Sequence, residues 1–191
     1  RIIATVDRSK AEGQRNRAIL ETLYSCGLRV SELVNLKLSD LYFDEGFIKV
    51  EGKGNKQRLI PISPRAINEI KLYFTDRNQI EVKSGHEDFV FISLRRGKRL
   101  SRIMIFHMIK ELAQQASITK NISPHTFRHS FATHLLEGGA NLRAIQCMLG
   151  HESIATTEIY THIDRNVLRS EIIEHHPRNI KYRKEKESLF H

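Results

Sequence analysis

From Arg15 the apolar positions Ala18, Ile19, Leu20, Leu23 and Tyr24 recur at helical steps, and Gly27 is the natural stop. A second, short helix is expected over about 30–37, carried by Val30, Leu33, Val34 and Leu36. The period then changes. Phe47, Ile48 and Val50 precede Gly52-Lys53-Gly54-Asn55, and Leu59, Ile60 and Ile62 follow, which predicts a β-hairpin around a Gly/Asn turn. A helix over about 64–76 comes next. Phe89-Val90-Phe91-Ile92-Ser93-Leu94 is expected to be a third strand, ending in the basic turn Arg95-Arg96-Gly97-Lys98-Arg99. From 101 onward the pattern is helical, with breaks at Ser123-Pro124, Gly138-Gly139 and Gly150. The two ends are less patterned: residues 1–14 are expected to be a linker or a frayed helix, and 179–191 a loose charged tail. The expected fold is mainly α with a small antiparallel sheet near its start (α+β).

Composition narrows the class. The 191 residues suit one domain, and 40% hydrophobic with 28% charged residues excludes bulk disorder. Lys and Arg number 31 against 22 Asp and Glu, a formal net charge of +9. Such a surplus suits a polyanion, nucleic acid first, although a charged surface also serves solubility. Cys26 and Cys147 stand alone in apolar stretches, with no CxxC, which suits a reducing compartment. No apolar run approaches the ~20 residues of a membrane span, and no signal-peptide pattern is present. The chain opens on Arg1 and reads as a piece of a longer protein.

Several local patterns carry chemistry. In Ser123-Pro124-His125-Thr126-Phe127-Arg128, Ser123 is a natural N-cap and Pro124 suits the first helical position. His125 and Arg128 then share one face of the opening turns, where a helix N-terminus and an arginine fork favour a phosphate. Phe127, Phe131 and Leu135 give another face a core-directed stripe. Gly150-His151-Glu152-Ser153 opens a further helix with Ser153 as N-cap, and Tyr160 follows two turns in. A free tyrosine has a pKa of ~10 and needs a stabilised phenolate to attack anything. Arg29 stands at a helix entrance with Glu32 three residues on, placed to steady its guanidinium. Lys53 and Lys56 project from the hairpin turn, able to enter a DNA groove or reach a leaving oxygen. Each pattern alone has a plain alternative: a capped surface helix, a half-buried tyrosine, a surface ion pair, a solvated turn.

Together they are distinctive. Arg29, Lys53, His125, Arg128, His151 and Tyr160 occur in the order of the tyrosine recombinase (phage-integrase-type) family. The stretches "CGLRVSELVNL", "GKGNKQRLIPI" and "SPHTFRHSFATHLLEGGANLRAIQCMLGHESIATTEIYTH" resemble that family's text from about Arg15 to Arg178, most closely that of the Xer-type recombinases. The resemblance implies a catalytic domain over 15–178 in the DNA breaking-rejoining fold, without the N-terminal DNA-clamping domain of full-length members. It implies that Arg29, His125 and Arg128 cradle the scissile phosphate. Tyr160 is then the nucleophile that forms a 3′-phosphotyrosyl link, Lys53 the general acid, His151 the residue packed on the phosphate, and Glu32 a steadying acid. No metal, cofactor or ATP is expected, because the covalent link conserves the bond energy. His129 and His134 are expected to pack or face DNA.

The implied partner is double-stranded DNA, with Lys56, Arg58, Arg95, Arg96, Lys98 and Arg99 as candidate contacts. Also implied are a bacterial, cytoplasmic, nucleoid-associated setting, a monomer in free solution and a homo- or hetero-tetramer on DNA. His176-Pro177-Arg178 resembles the start of the Xer-type tail, which docks onto a neighbouring protomer; the plain alternative is a helix end broken by proline. Two other functions compete: relaxation of DNA in the manner of a type IB topoisomerase, which shares the Arg/Lys/Arg/Tyr chemistry, and DNA binding without cutting.

Overall fold

The computed structural model describes residues 1–150 and 165–188. Helix α1 (Gly13–Cys26) lies at its centre, packed against α3 (Pro64–Arg77) on one side and α5 (Pro124–Glu137) on another. Ala18, Ile19, Leu20 and Leu23 are fully buried there, as their spacing requires. Gly27 ends the helix with φ +65°, and a Cβ built on it would sit 2.4 Å from the Phe131 ring. Only glycine meets both demands. The short α2 (Val30–Val34) follows at once.

Three strands form one antiparallel sheet in chain order: β1 (Leu41–Tyr42), β2 (Phe47–Glu51) and β3 (Gln57–Pro61). The expected hairpin is β2–β3, registered with Ile48 opposite Ile60 and Val50 opposite Arg58. The strand expected at 89–94 is not one. This run makes only isolated bridges, Lys37 to Phe89 and Ile92 to Arg99, and β1 takes the third place. The reason is that side chains satisfy its backbone. Arg77 donates to the carbonyls of Glu87, Phe89 and Val90, while the Tyr73 hydroxyl donates to Val90 O and accepts from the Ile92 N–H. Val90, Phe91 and Ile92 remain buried as the pattern foretells.

Ser63 and Ser101 cap α3 and α4 (Arg102–Gln115), each accepting a backbone N–H of the first turn. At α5 the Ser123 N–H donates to Thr126 Oγ1, with Pro124 at the first helical position. Helix α5 bridges two apolar clusters. Phe127 belongs to the larger, built on α1, α3, α4 and the sheet. Phe131 and Leu135 belong to the smaller, shared with α6 (Leu142–Leu149) and α7 (Arg165–His175). Arg128 therefore lies at the seam between them.

Both ends depart from expectation. The lead-in is no free linker: Ile2–Thr5 is a 3₁₀ turn, and Ile2, Ile3 and Val6 are buried in the larger cluster. Three apolar side chains within six residues are anchor enough. At the other end, α8 (Pro177–Ser188) is helical and lies on α3 of its own chain, so the loose tail is corrected through residue 188. Arg178 pairs with the buried Glu21, which Arg65 also holds at 3.1 Å. Among the described residues no helix is long and apolar enough to cross a membrane.

Candidate active site

The site begins where α1 ends. Gly27 turns the chain, and two residues on Arg29 stands before the first turn of α2 with its side chain 40% exposed. Its N–H donates to Glu32 Oε1 at 2.8 Å, and its Nη1 lies 3.8 Å from Glu32 Oε2. Glu32 thus reaches back over its own helix N-terminus, where a carboxylate is favoured. Its side chain is 1% exposed, so it needs a counter-charge. That charge is Arg58, not Arg29. Arg58 Nη1 and Nη2 fork both Glu32 oxygens, the second at 3.1 Å.

Arg58 was expected at the DNA surface and is turned inward instead. On β3 it shares the core-facing side with Ile60, two residues along, opposite Val50. Its Nε donates to Met148 O at 3.0 Å, one residue before the last of α6. A Cβ on Gly150, whose φ is +67°, would meet Arg58 Cζ and Nε at 3.0 Å.

Arg128 completes the junction. It is buried, and its two terminal nitrogens donate to Gly27 O at 2.8 Å and Leu149 O at 2.6 Å. One guanidinium therefore ties the end of α1 to the end of α6. Burial, with the nearby positive charges of Arg29 and Arg58, pushes its pKa down to about 10; Glu32 opposes the shift. It stays charged at neutral pH. Three guanidiniums within Coulombic reach of one carboxylate leave a net positive site, suited to an anion.

The other expected residues fall into three groups. His125 is exposed at the start of α5, and Lys53 is exposed in the hairpin turn, Lys53–Asn55, beside exposed Lys56. Arg95, Arg96 and Lys98 are exposed in the basic turn. Arg99 is more restrained: it bonds Asn35 Oδ1 and lies 5.3 Å from the Phe89 ring centre. His151 and Tyr160, with Ser153, lie outside the described residues. His129 is exposed, while Nδ1 of His134 lies 2.6 Å from the Tyr24 hydroxyl. Cys26 and Cys147 are free and buried, and burial raises both thiols.

Sequence reasoning missed the inward role of Arg58. The signal was present in the two-residue period Arg58, Ile60, Ile62, whose later members are core residues.

The profile of the phage integrase family matches residues 1–166. A tyrosine recombinase XerD from Staphylococcus saprophyticus is 47% identical over 178 residues, covering 93% of this chain and 60% of the relative. The crystal structure of XerA recombinase matches with a TM-score of 0.71 at 37% identity, over 92% of this chain and 60% of that one. XerH site-specific recombinase, bound to its difH substrate before cleavage, matches with a TM-score of 0.69 at 28% identity, over 85% and 47%. The chain thus spans about three fifths of its XerD relative.

Proposed function

The chain belongs to the phage integrase family, and from that premise we propose that it cuts and rejoins DNA as the catalytic domain of a Xer-type tyrosine recombinase. The observation that carries this reading is that Arg29 and Arg128 meet at one junction beside the buried acid Glu32. It gives an anion a preorganised positive seat at the meeting point of α1, the hairpin and α6. Charge grows on the non-bridging oxygens as phosphorus becomes five-coordinate, and donors placed beforehand stabilise that state most. One such contact is worth ~3–4 kcal/mol.

In this mechanism the phenolic oxygen of Tyr160 bonds to phosphorus and releases its proton to water, while the bond to O5′ breaks. Lys53 supplies a proton to the leaving oxygen. Arg29, His125 and Arg128 hold the phosphate, and His151 packs against it. One proton is lost and one gained, and the phosphodiester becomes a 3′-phosphotyrosyl ester of similar energy. Attack by a 5′-hydroxyl reverses the step, so ATP is not needed. Lys56 and the turn Arg95, Arg96 and Lys98 supply backbone attraction to the duplex.

We infer also that the protein works as a tetramer on DNA and exchanges its tails. In the single chain α8 is docked on its own body through Arg178 to Glu21 and the His176 Nε2 contact with Tyr24 O. The hinge is short, residue 176 alone between α7 and α8. The same Glu21 and Tyr24 sockets then suit a neighbour's tail. The Xer-type resemblance of the sequence favours chromosome-dimer resolution in the bacterial cytoplasm, with integration or excision of a mobile element as the alternative.

The test is a nicked suicide duplex whose site is selected by binding from a randomised pool. A covalent protein–DNA band from the wild type, without metal or ATP, is expected. No adduct under any trapping condition would overturn the reading. Relaxation of plasmid lacking the site would point to a topoisomerase instead.

A further inference from the structure

The best-held guanidinium near the site belongs to a residue that the cutting step above does not use. Arg58 is 9% exposed at its side chain and commits three nitrogens inward: two to the Glu32 carboxylate and one to Met148 O. Arg128 grips the next carbonyl, Leu149 O. Two arginines from different elements therefore hold consecutive carbonyls at the C-terminal end of α6, where helix carbonyls lack intrahelical partners and the dipole favours cations. From that end the chain runs on toward His151 and Tyr160. Through Glu32, Arg58 also reaches Arg29, because the same carboxylate receives the Arg29 N–H.

Resting on the cutting reading above, we propose that Arg58 is a positioning residue of the site. It holds Glu32 and the end of α6 together, and so fixes the Arg29–Arg128 cradle relative to the departing chain. Two simpler roles compete. A DNA contact would show as a smaller salt slope; in the structure all three Arg58 nitrogens, Nε included, bond Glu32 or Met148 O. A stabilising ion pair alone explains the Glu32 fork but not the bond to Met148 O, which ties the guanidinium to the end of α6. Lysine cannot substitute, since a point charge cannot fork a carboxylate and bond a carbonyl together.

The experiment uses the 191-residue protein with the selected suicide duplex, reading affinity against salt and the single-turnover rate of adduct formation at saturating protein. Arg58→Gln and Arg58→Lys are expected to lower that rate about 10²-fold, the cost of misplacing reacting groups by ~1 Å. DNA affinity and its salt slope should stay unchanged. A slope smaller by ~0.9 with an unchanged rate would show a phosphate contact and overturn the proposal. A double variant, Arg58→Gln with Glu32→Gln, removes the buried charge left unpaired and guards against simple unfolding. It should recover thermal stability while its cleavage stays slow. Cleavage that recovers with stability would mean a merely structural pair, and the positioning role would be wrong. Loss of the adduct in Tyr160→Phe shows that the cutting reading stands whatever Arg58 does; no adduct from the wild type removes both.

Discussion

His176, the one residue between α7 and α8, is fully buried, and its protonation is the perturbation whose size follows most directly from the structure. Its Nδ1 accepts the Arg178 N–H, so Nε2 carries the hydrogen and donates to Tyr24 O. Both ring nitrogens are satisfied in the neutral form. Burial is the main cause that pushes its pKa down to about 4; His134 and Arg178 add to the shift, and the Tyr24 carbonyl opposes it. In the unfolded chain the imidazole titrates near ~6.5. Between these values the unfolded state binds the extra proton and the folded state does not, so stability rises with pH. The contribution is complete above about pH 6.5 and is lost as pH falls toward 4. From pH 7.5 to 4.5 the two values give a loss of about 2–3 kcal/mol. Urea unfolding across that range measures it, with His176→Gln as the control that cannot titrate. The difference between the wild type and the variant should shrink by about that amount on acidification. Parallel stability curves for the two proteins would refute the assignment of a buried neutral histidine.

Gly27→Ala forces a side chain into the left-handed region and into the Phe131 ring, so chemical denaturation should show a loss of about 1–3 kcal/mol. Arg178→Ala leaves the fully buried Glu21 paired with Arg65. Stability should fall by about 2 kcal/mol, and limited proteolysis should cut earlier at 176–188. Lys98→Ala in the basic turn should reduce the salt slope of DNA binding by ~0.9 and leave thermal stability unchanged.

Most of the helical frame was legible because it depends on local spacing. Ala18, Ile19 and Leu23 on α1, and Phe127, Phe131 and Leu135 on α5, repeat at helical steps and are buried as those steps imply. Gly27, Ser123 and the hairpin turn mark boundaries by their own chemistry. What stayed hidden depends on partners distant in sequence. Phe89 to Leu94 has strand composition, yet Arg77 and Tyr73 occupy its backbone groups, and composition says nothing of that competition. The charged tail looked loose because its anchors, Glu21 and Arg65, lie more than a hundred residues earlier. At the junction, Arg29, Glu32 and Arg128 were picked out by motif as candidates, whereas the Arg58–Glu32 fork joins residues 26 apart with no motif of its own. Alternation along β3 was the one clue to it.

The central claim is that Tyr160 cuts DNA and keeps the 3′ end. The most direct measurement traps the adduct on a suicide duplex, digests it, and locates the nucleotide-bearing peptide by mass spectrometry. A single modified peptide is expected, with the mass of a 3′-phosphonucleotide on Tyr160, and none in Tyr160→Phe. Modification at another residue, or an adduct that survives that substitution, would contradict it.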